Sequence, residues 1–157
     1  MMATIPATHR PALTMSIQVA TRSRSLPREA QVRRWARSCL RSPALVTVRF
    51  VGAVEGAALN REYRGRNYPT NVLTFRYETK PMLAGDIVLC APVVRREARA
   101  QKKSLTAHYA HLTVHGLLHL QGYDHEKPSQ ARVMENLEVA ILSRLGYPDP
   151  YAAADDK

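Results

Sequence analysis

The stretch His115-Gly116-Leu117-Leu118-His119-Leu120-Gln121-Gly122-Tyr123-Asp124-His125 constrains this chain more than any other. His115 and His119 are four apart, a spacing that stacks two side chains on one helix face, one turn apart. Gly122 follows, and glycine is the residue type that most readily ends a helix in a left-handed conformation. His125 then arrives from beyond the turn. A fold of this chain has to stop a helix at the glycine and carry the third imidazole back toward the first two. Three neutral imidazole nitrogens placed in this way can hold Zn²⁺ and leave its fourth position to water. The bland alternative, three unrelated surface or core histidines, does not explain the glycine at the turn.

As a pattern the stretch reads H-x-x-x-H-x-x-G-x-x-H. Its ligand spacing equals that of the zinc metalloproteases with H-E-x-x-H-x-x-G-x-x-H. In those enzymes the residue after the first histidine is the general base; here it is Gly116. The ligand frame is kept and the protease's base is absent. His108 and His111 lie along much the same side of the helix. His111 is one turn before His115 and is within reach in principle, but only the 115–119–125 set uses the Gly122 turn. His108 and His111 therefore read as structural or supporting.

Periodicity supplies the surrounding elements. Met15, Ile17 and Val19 alternate with polar residues, which predicts a half-buried strand. Ser25 and Pro27 suggest a helix start, and Val32, Trp35, Ala36, Cys39 and Leu40 then mark one apolar face, with Arg33, Arg34, Arg37 and Arg41 mainly off it. Leu45 to Val51 is a β-branched strand. Val54 to Arg64 is a short helix closed by Gly65, followed by a turn at Asn67-Tyr68-Pro69 and a strand at Val72 to Phe75. A hairpin loop runs from Glu78 to Gly85. The unbroken apolar run Ile87-Val88-Leu89-Cys90 predicts a central strand covered on both faces. Pro92 opens a helix to about Gln101. Ser104 caps the histidine helix, which runs from Leu105 to about Gln121. A last helix after Pro128 carries Met134, Leu137, Glu138, Ile141 and Leu145, with Glu138 the one break in its apolar stripe. Four strands and about five helices without strict βαβ alternation predict an α+β domain with a mixed sheet. The expected organisation is a disordered extension over 1–12, one domain over 13–151 and a disordered tail over 152–157.

Charge bears on the partner. The chain holds 18 Arg and 5 Lys for a formal net charge of +10. Residues 1–105 have a balance of +13 and residues 106–157 one of −3. The histidine segment is thus not itself the basic surface; a polyanion would be held by the first two-thirds of the chain and presented to the metal. Arginine also contacts phosphate bidentately, which lysine cannot. No run of about 18 apolar residues is present, so no membrane span is expected. Cys39 and Cys90 form no C-x-x-C and read as free thiols in a reducing cytosol.

The histidine block resembles the signature of the YbeY family, bacterial rRNA maturation factors described as zinc-dependent endoribonucleases. Leu59-Asn60-Arg61-Glu62-Tyr63-Arg64, Pro69-Thr70-Asn71-Val72-Leu73-Thr74-Phe75, Gly85-Asp86-Ile87 and the ending Leu145 to Tyr151 are similar to further family blocks, so the resemblance spans about residues 45–151. The chain departs from the family at Tyr68 and Asn71, and no role is carried to those two positions. The resemblance implies a zincin-like fold, a cytoplasmic enzyme with one Zn²⁺ per chain, single-stranded RNA as substrate, action in 16S rRNA 3′-end processing and ribosome quality control, and contact with the ribosome or small-subunit proteins. It also aligns Arg64 with the family's functional arginine, a guanidinium suited to charge developing on a phosphodiester. Asp124, beside His125, is a second candidate: it could orient a ligand or accept a proton. Thr70 and Asn71 fit either a phosphate contact or the turn before the strand, and Asp86 reads as a strand-entry turn residue. Two rival readings stand beside the nuclease. One is a zinc peptidase or amidase, opposed by Gly116. The other is a non-catalytic ribosome-assembly factor with structural zinc, which a cysteine as fourth ligand would favour.

Overall fold

The computed structural model describes residues 11–152. The readings for 1–12 and 152–157 therefore fall outside the described residues, apart from 11, 12 and 152. Nine elements follow in order: β1 Leu13–Ala20, α1 Glu29–Cys39, β2 Ala44–Val51, α2 Ala53–Arg64, β3 Val72–Glu78, β4 Leu83–Cys90, α3 Ala91–Ala100, α4 Leu105–Leu120 and α5 Pro128–Leu145. The strands form one mixed sheet in the order β1-β2-β4-β3. β1 and β4 run parallel to β2, and β3 runs antiparallel to β4.

β4 is internal, as its apolar run predicts. Alternation divides its side chains between two cores. Leu83, Ile87 and Leu89 join Ala44, Val46, Val48 and Phe50 of β2 in the main core, under α1, α4 and α5. Val88 and Cys90 turn to the other face, where they meet Val51, Leu73 and Val93. The α+β architecture with four mixed strands and five helices is the one expected.

One helix start differs from the expectation. Ser25 does not cap α1; it takes a left-handed conformation, with φ 64°. The N-cap is Arg28, whose backbone N–H donates to Gln31 Oε1 at 2.9 Å. The glutamine at the third helical position thus does the capping that the serine was expected to do.

Two glycines set how closely α4 sits on the sheet. A Cβ on Gly116 would lie 3.2–3.3 Å from Ile87 and Thr74 side-chain carbons. A Cβ on Gly85 would lie 2.7 Å from the Phe75 carbonyl oxygen and 2.8 Å from Leu120. The histidine helix is therefore seated closely on β3 and β4, so that a Cβ at either position would make a neighbour shift.

Candidate metal centre

Ser104 caps α4 as expected, its Oγ accepting from the Ala107 N–H at 3.0 Å. At the other end Gly122 has φ 103°, and the Tyr123 N–H reaches back to the Leu118 carbonyl at 3.1 Å. This 6→1 bond reverses the chain. Gln121 secures the turn from the side: its Nε2 donates to the Cys39 carbonyl at 2.8 Å, and its Oε1 accepts from the Arg41 N–H at 3.1 Å. Asp124 Oδ1 accepts from the backbone N–H of His125 at 2.7 Å. The carboxylate thus holds the main chain at His125 rather than an imidazole.

The three rings come together. Their centroids are 5.2 Å (115–119), 5.5 Å (115–125) and 5.0 Å (119–125) apart. One ligand atom from each lies within 4.8 Å of the others. His119 Nε2 and His125 Nδ1 are 3.2 Å apart. Tetrahedral Zn–N bonds of about 2.0–2.1 Å place ligand nitrogens roughly 3.3 Å apart, a separation that the His119–His125 pair already matches. Burial holds the His119 imidazole below its ordinary range; the His115, His125 and Arg64 charges push the same way and Asp124 opposes them. A neutral ring keeps its lone pair for a metal.

Sequence reasoning passed over the residue that braces this triad. Glu138, on α5, is fully buried. Its Oε2 meets His115 Nδ1 at 2.5 Å, and its Oε1 lies 3.4 Å from His111 Nε2 and accepts from the Tyr151 hydroxyl. Burial by itself pushes this carboxyl up, but the bonds from His111, His115 and Tyr151 outweigh it and hold the group down at about 2. An ionised carboxylate on Nδ1 fixes the tautomer of His115 and leaves Nε2 free to ligate. His111, His115 and Glu138 also lie within ligand range of one another, but there the carboxylate bonds the imidazole directly. The signal in the sequence was Glu138 as the one charge in an apolar stripe. Tyr151 gave none. It is placed by Gly146, which turns the chain after α5 with φ 93°, and by Lys103 Nζ donating to the Pro150 carbonyl at 2.5 Å.

The other candidates are placed as follows. Arg64 ends α2 and is exposed, near enough for its charge to act on His119. Gly116 faces the sheet, not the triad. His108 is buried with Nε2 2.9 Å from Glu97 Oε1, and Asn71 Nδ2 donates to the same oxygen at 3.0 Å. Asp86 accepts from the Tyr77 hydroxyl at 2.6 Å. Thr70 is half-buried in the turn before β3. Cys39 and Cys90 are free and buried, and among the described residues neither joins the histidine group. An open cleft of about 200 Å³ borders His115, His125, Glu138 and Tyr151.

Residues 16–146 match the model of the family described as "Endoribonuclease YbeY". The chain belongs to the YbeY family. A YbeY endoribonuclease of Aromatoleum aromaticum is 57% identical over 148 residues, covering 93% of this chain and 96% of that one. One from Methylobacillus flagellatus is 54% identical over 147 residues, covering 94% and 99%. The solution structure of TM1509 from Thermotoga maritima shares the fold, with a TM-score of 0.56 at 21% identity over 90% of this chain and 99% of that one. The matched span includes His115, His119 and His125. No helix among the described residues is long and apolar enough to cross a membrane.

Proposed function

We propose that residues 13–151 form one zinc-dependent endoribonuclease unit that cleaves single-stranded RNA in the cytoplasm during rRNA maturation. The observation that carries this is the convergence of His115, His119 and His125 within 4.8 Å, in a chain whose relatives are named endoribonucleases. His115, His119 and His125 hold the ion, and Glu138 keeps His115 in the ligating tautomer. When bound, Zn²⁺ supplies a Lewis acid and an acidified water. Arg64, whose charge reaches His119, meets charge that builds on the phosphodiester oxygens, a contribution larger in the transition state than in the bound state. The 2.7 Å bond from Asp124 to the His125 N–H keeps the third ligand in position. Ribosomal partners are part of this reading, since rRNA is its substrate. The peptidase alternative lacks the base that follows the first histidine in the protease pattern, because position 116 has no side chain and points into the sheet.

Two variants test the proposal. His119→Ala should lose its zinc by elemental analysis and its RNA cleavage. Arg64→Ala should keep zinc, fold and most RNA affinity, and cleave about 10²–10³-fold more slowly in single-turnover assays. A normal single-turnover rate in zinc-loaded Arg64→Ala would remove Arg64 from the mechanism. Full zinc content in His119→Ala would remove the metal assignment.

A further inference from the structure

Two arginine–tyrosine pairs meet at the edge of the sheet. Arg64 and Tyr63 end α2; Arg76 and Tyr77 are consecutive on β3. In each pair the cation is associated with the histidine site. Arg64 acts on His119, and the Arg76 guanidinium lies 3.9 Å from where a Gly122 Cβ would sit. The rings go elsewhere. The β3 register shifts between Arg76 and Glu78, and there the Tyr77 hydroxyl donates to Asp86, the cross-strand partner of Phe75, which brings Tyr77 to the face of Phe75. Tyr63 packs edge-on against Phe75, with centroids 4.8 Å apart. Tyr63 also bears on the Tyr77 hydroxyl, behind the larger effects of the Asp86 hydrogen bond and burial. Tyr63 is nevertheless 59% exposed and Tyr77 64%. Among the described residues β3 pairs only with β4 and forms an edge of the sheet. Among the described residues no carboxylate pairs with Arg61, Arg64, Arg66 or Arg76.

We infer that Tyr63 and Tyr77 form a stacking platform for unpaired bases of an RNA strand whose phosphates run along Arg64 and Arg76 toward the histidine triad. The cations recognise the backbone, and the rings recognise base faces. A duplex hides those faces, so the platform selects single strands at the point where the strand approaches the metal. The charge favours a polyanion as occupant, and exposed aromatic rings alternating with arginines favour one that carries bases. This inference rests on the reading of the protein as a single-strand nuclease and adds the surface that makes it so.

Single-turnover cleavage of a short unstructured RNA by the zinc-loaded protein gives the half-saturating enzyme concentration and the limiting rate together. Tyr63→Ala and Tyr77→Ala should each raise the first about tenfold and leave the second unchanged. Tyr63→Phe should behave as the parent protein. The parent should bind a base-free RNA backbone as weakly as the double alanine variant does. The salt slope of half-saturation should be unchanged, because no phosphate contact is lost. Zinc content and melting temperature report that the variants are folded. Half-saturation at the parental concentration in the double alanine variant would overturn the platform. So would equal affinity for base-free RNA, or a slower limiting rate at unchanged half-saturation. An inactive parent protein is a different outcome: it would overturn the nuclease reading and the platform with it.

Discussion

Glu138 shows how one residue can serve both folding and chemistry. Its carboxylate is fully buried and takes hydrogen bonds from two elements, α4 and the segment after α5. Removing its charge while keeping its shape isolates its effect on the metal. Glu138→Gln should weaken zinc affinity about 10–100-fold, read by competition with a chromophoric chelator. Affinity equal to the parent's would mean that His115 needs no carboxylate partner. Cys39 makes the opposite case, a titratable group kept out of chemistry. Burial pushes its thiol up to about 12. A raised pKa means a protonated, unreactive sulfur at every pH below that value. Mass spectrometry after alkylation at pH 8 should find Cys39 unmodified in the native protein and modified after denaturation. The sequence exposed the first of these residues as an interrupted apolar stripe, but not its partners. The hydrogen bonds of Glu138 span 27 residues to His111, 23 to His115 and 13 to Tyr151, and no local pattern encodes them.

At the scale of elements, periodicity carried far. The β4 run was legible as central because residues covered on both faces cannot alternate. The capped helix α4 and its Gly122 exit were legible because both rest on near-neighbour hydrogen bonds. The start of α1 was not. Ser25 looked like a cap, but Gln31 reaching back to Arg28 places the helix start at Glu29. The strand order and the seat of α4 on the sheet were also invisible, since both arise from contacts distant in sequence. The two glycines under α4 test that seat. Gly85→Ala meets a backbone carbonyl oxygen and should cost about 1–3 kcal/mol. Gly116→Ala meets only side-chain carbons and should cost less. Denaturant midpoints at constant m-value give both numbers; the reverse order would mean that β3 yields more easily than Ile87.

For the whole molecule, charge was countable in the sequence but its location was not. The excess of +13 over residues 1–105 is distributed over several surfaces. Part of it is neutralised locally, Arg33 by Glu29 at 2.8 Å and Arg49 by Glu55 at 2.8 Å. Arg34, Arg37 and Arg41 are exposed on and just after α1, and Arg64 and Arg76 are exposed near the triad. RNA affinity should fall linearly on a log–log salt plot. Neutralising Arg76 should reduce the slope by about one, whereas Arg34 and Arg37 should matter only if the strand extends to α1. A slope unchanged by Arg76 would move the RNA path away from β3.

The hydrogen at position 116 also limits where point mutation can take this protein. A glutamate at 116 would start with its first carbon 3.2–3.3 Å from Ile87 and Thr74 side-chain carbons, directed at the sheet and away from the triad. A library that varies position 116 alone should return small residues. One that varies 74, 87 and 116 together should admit larger ones, and these would still fill the sheet side of α4 and not the metal side.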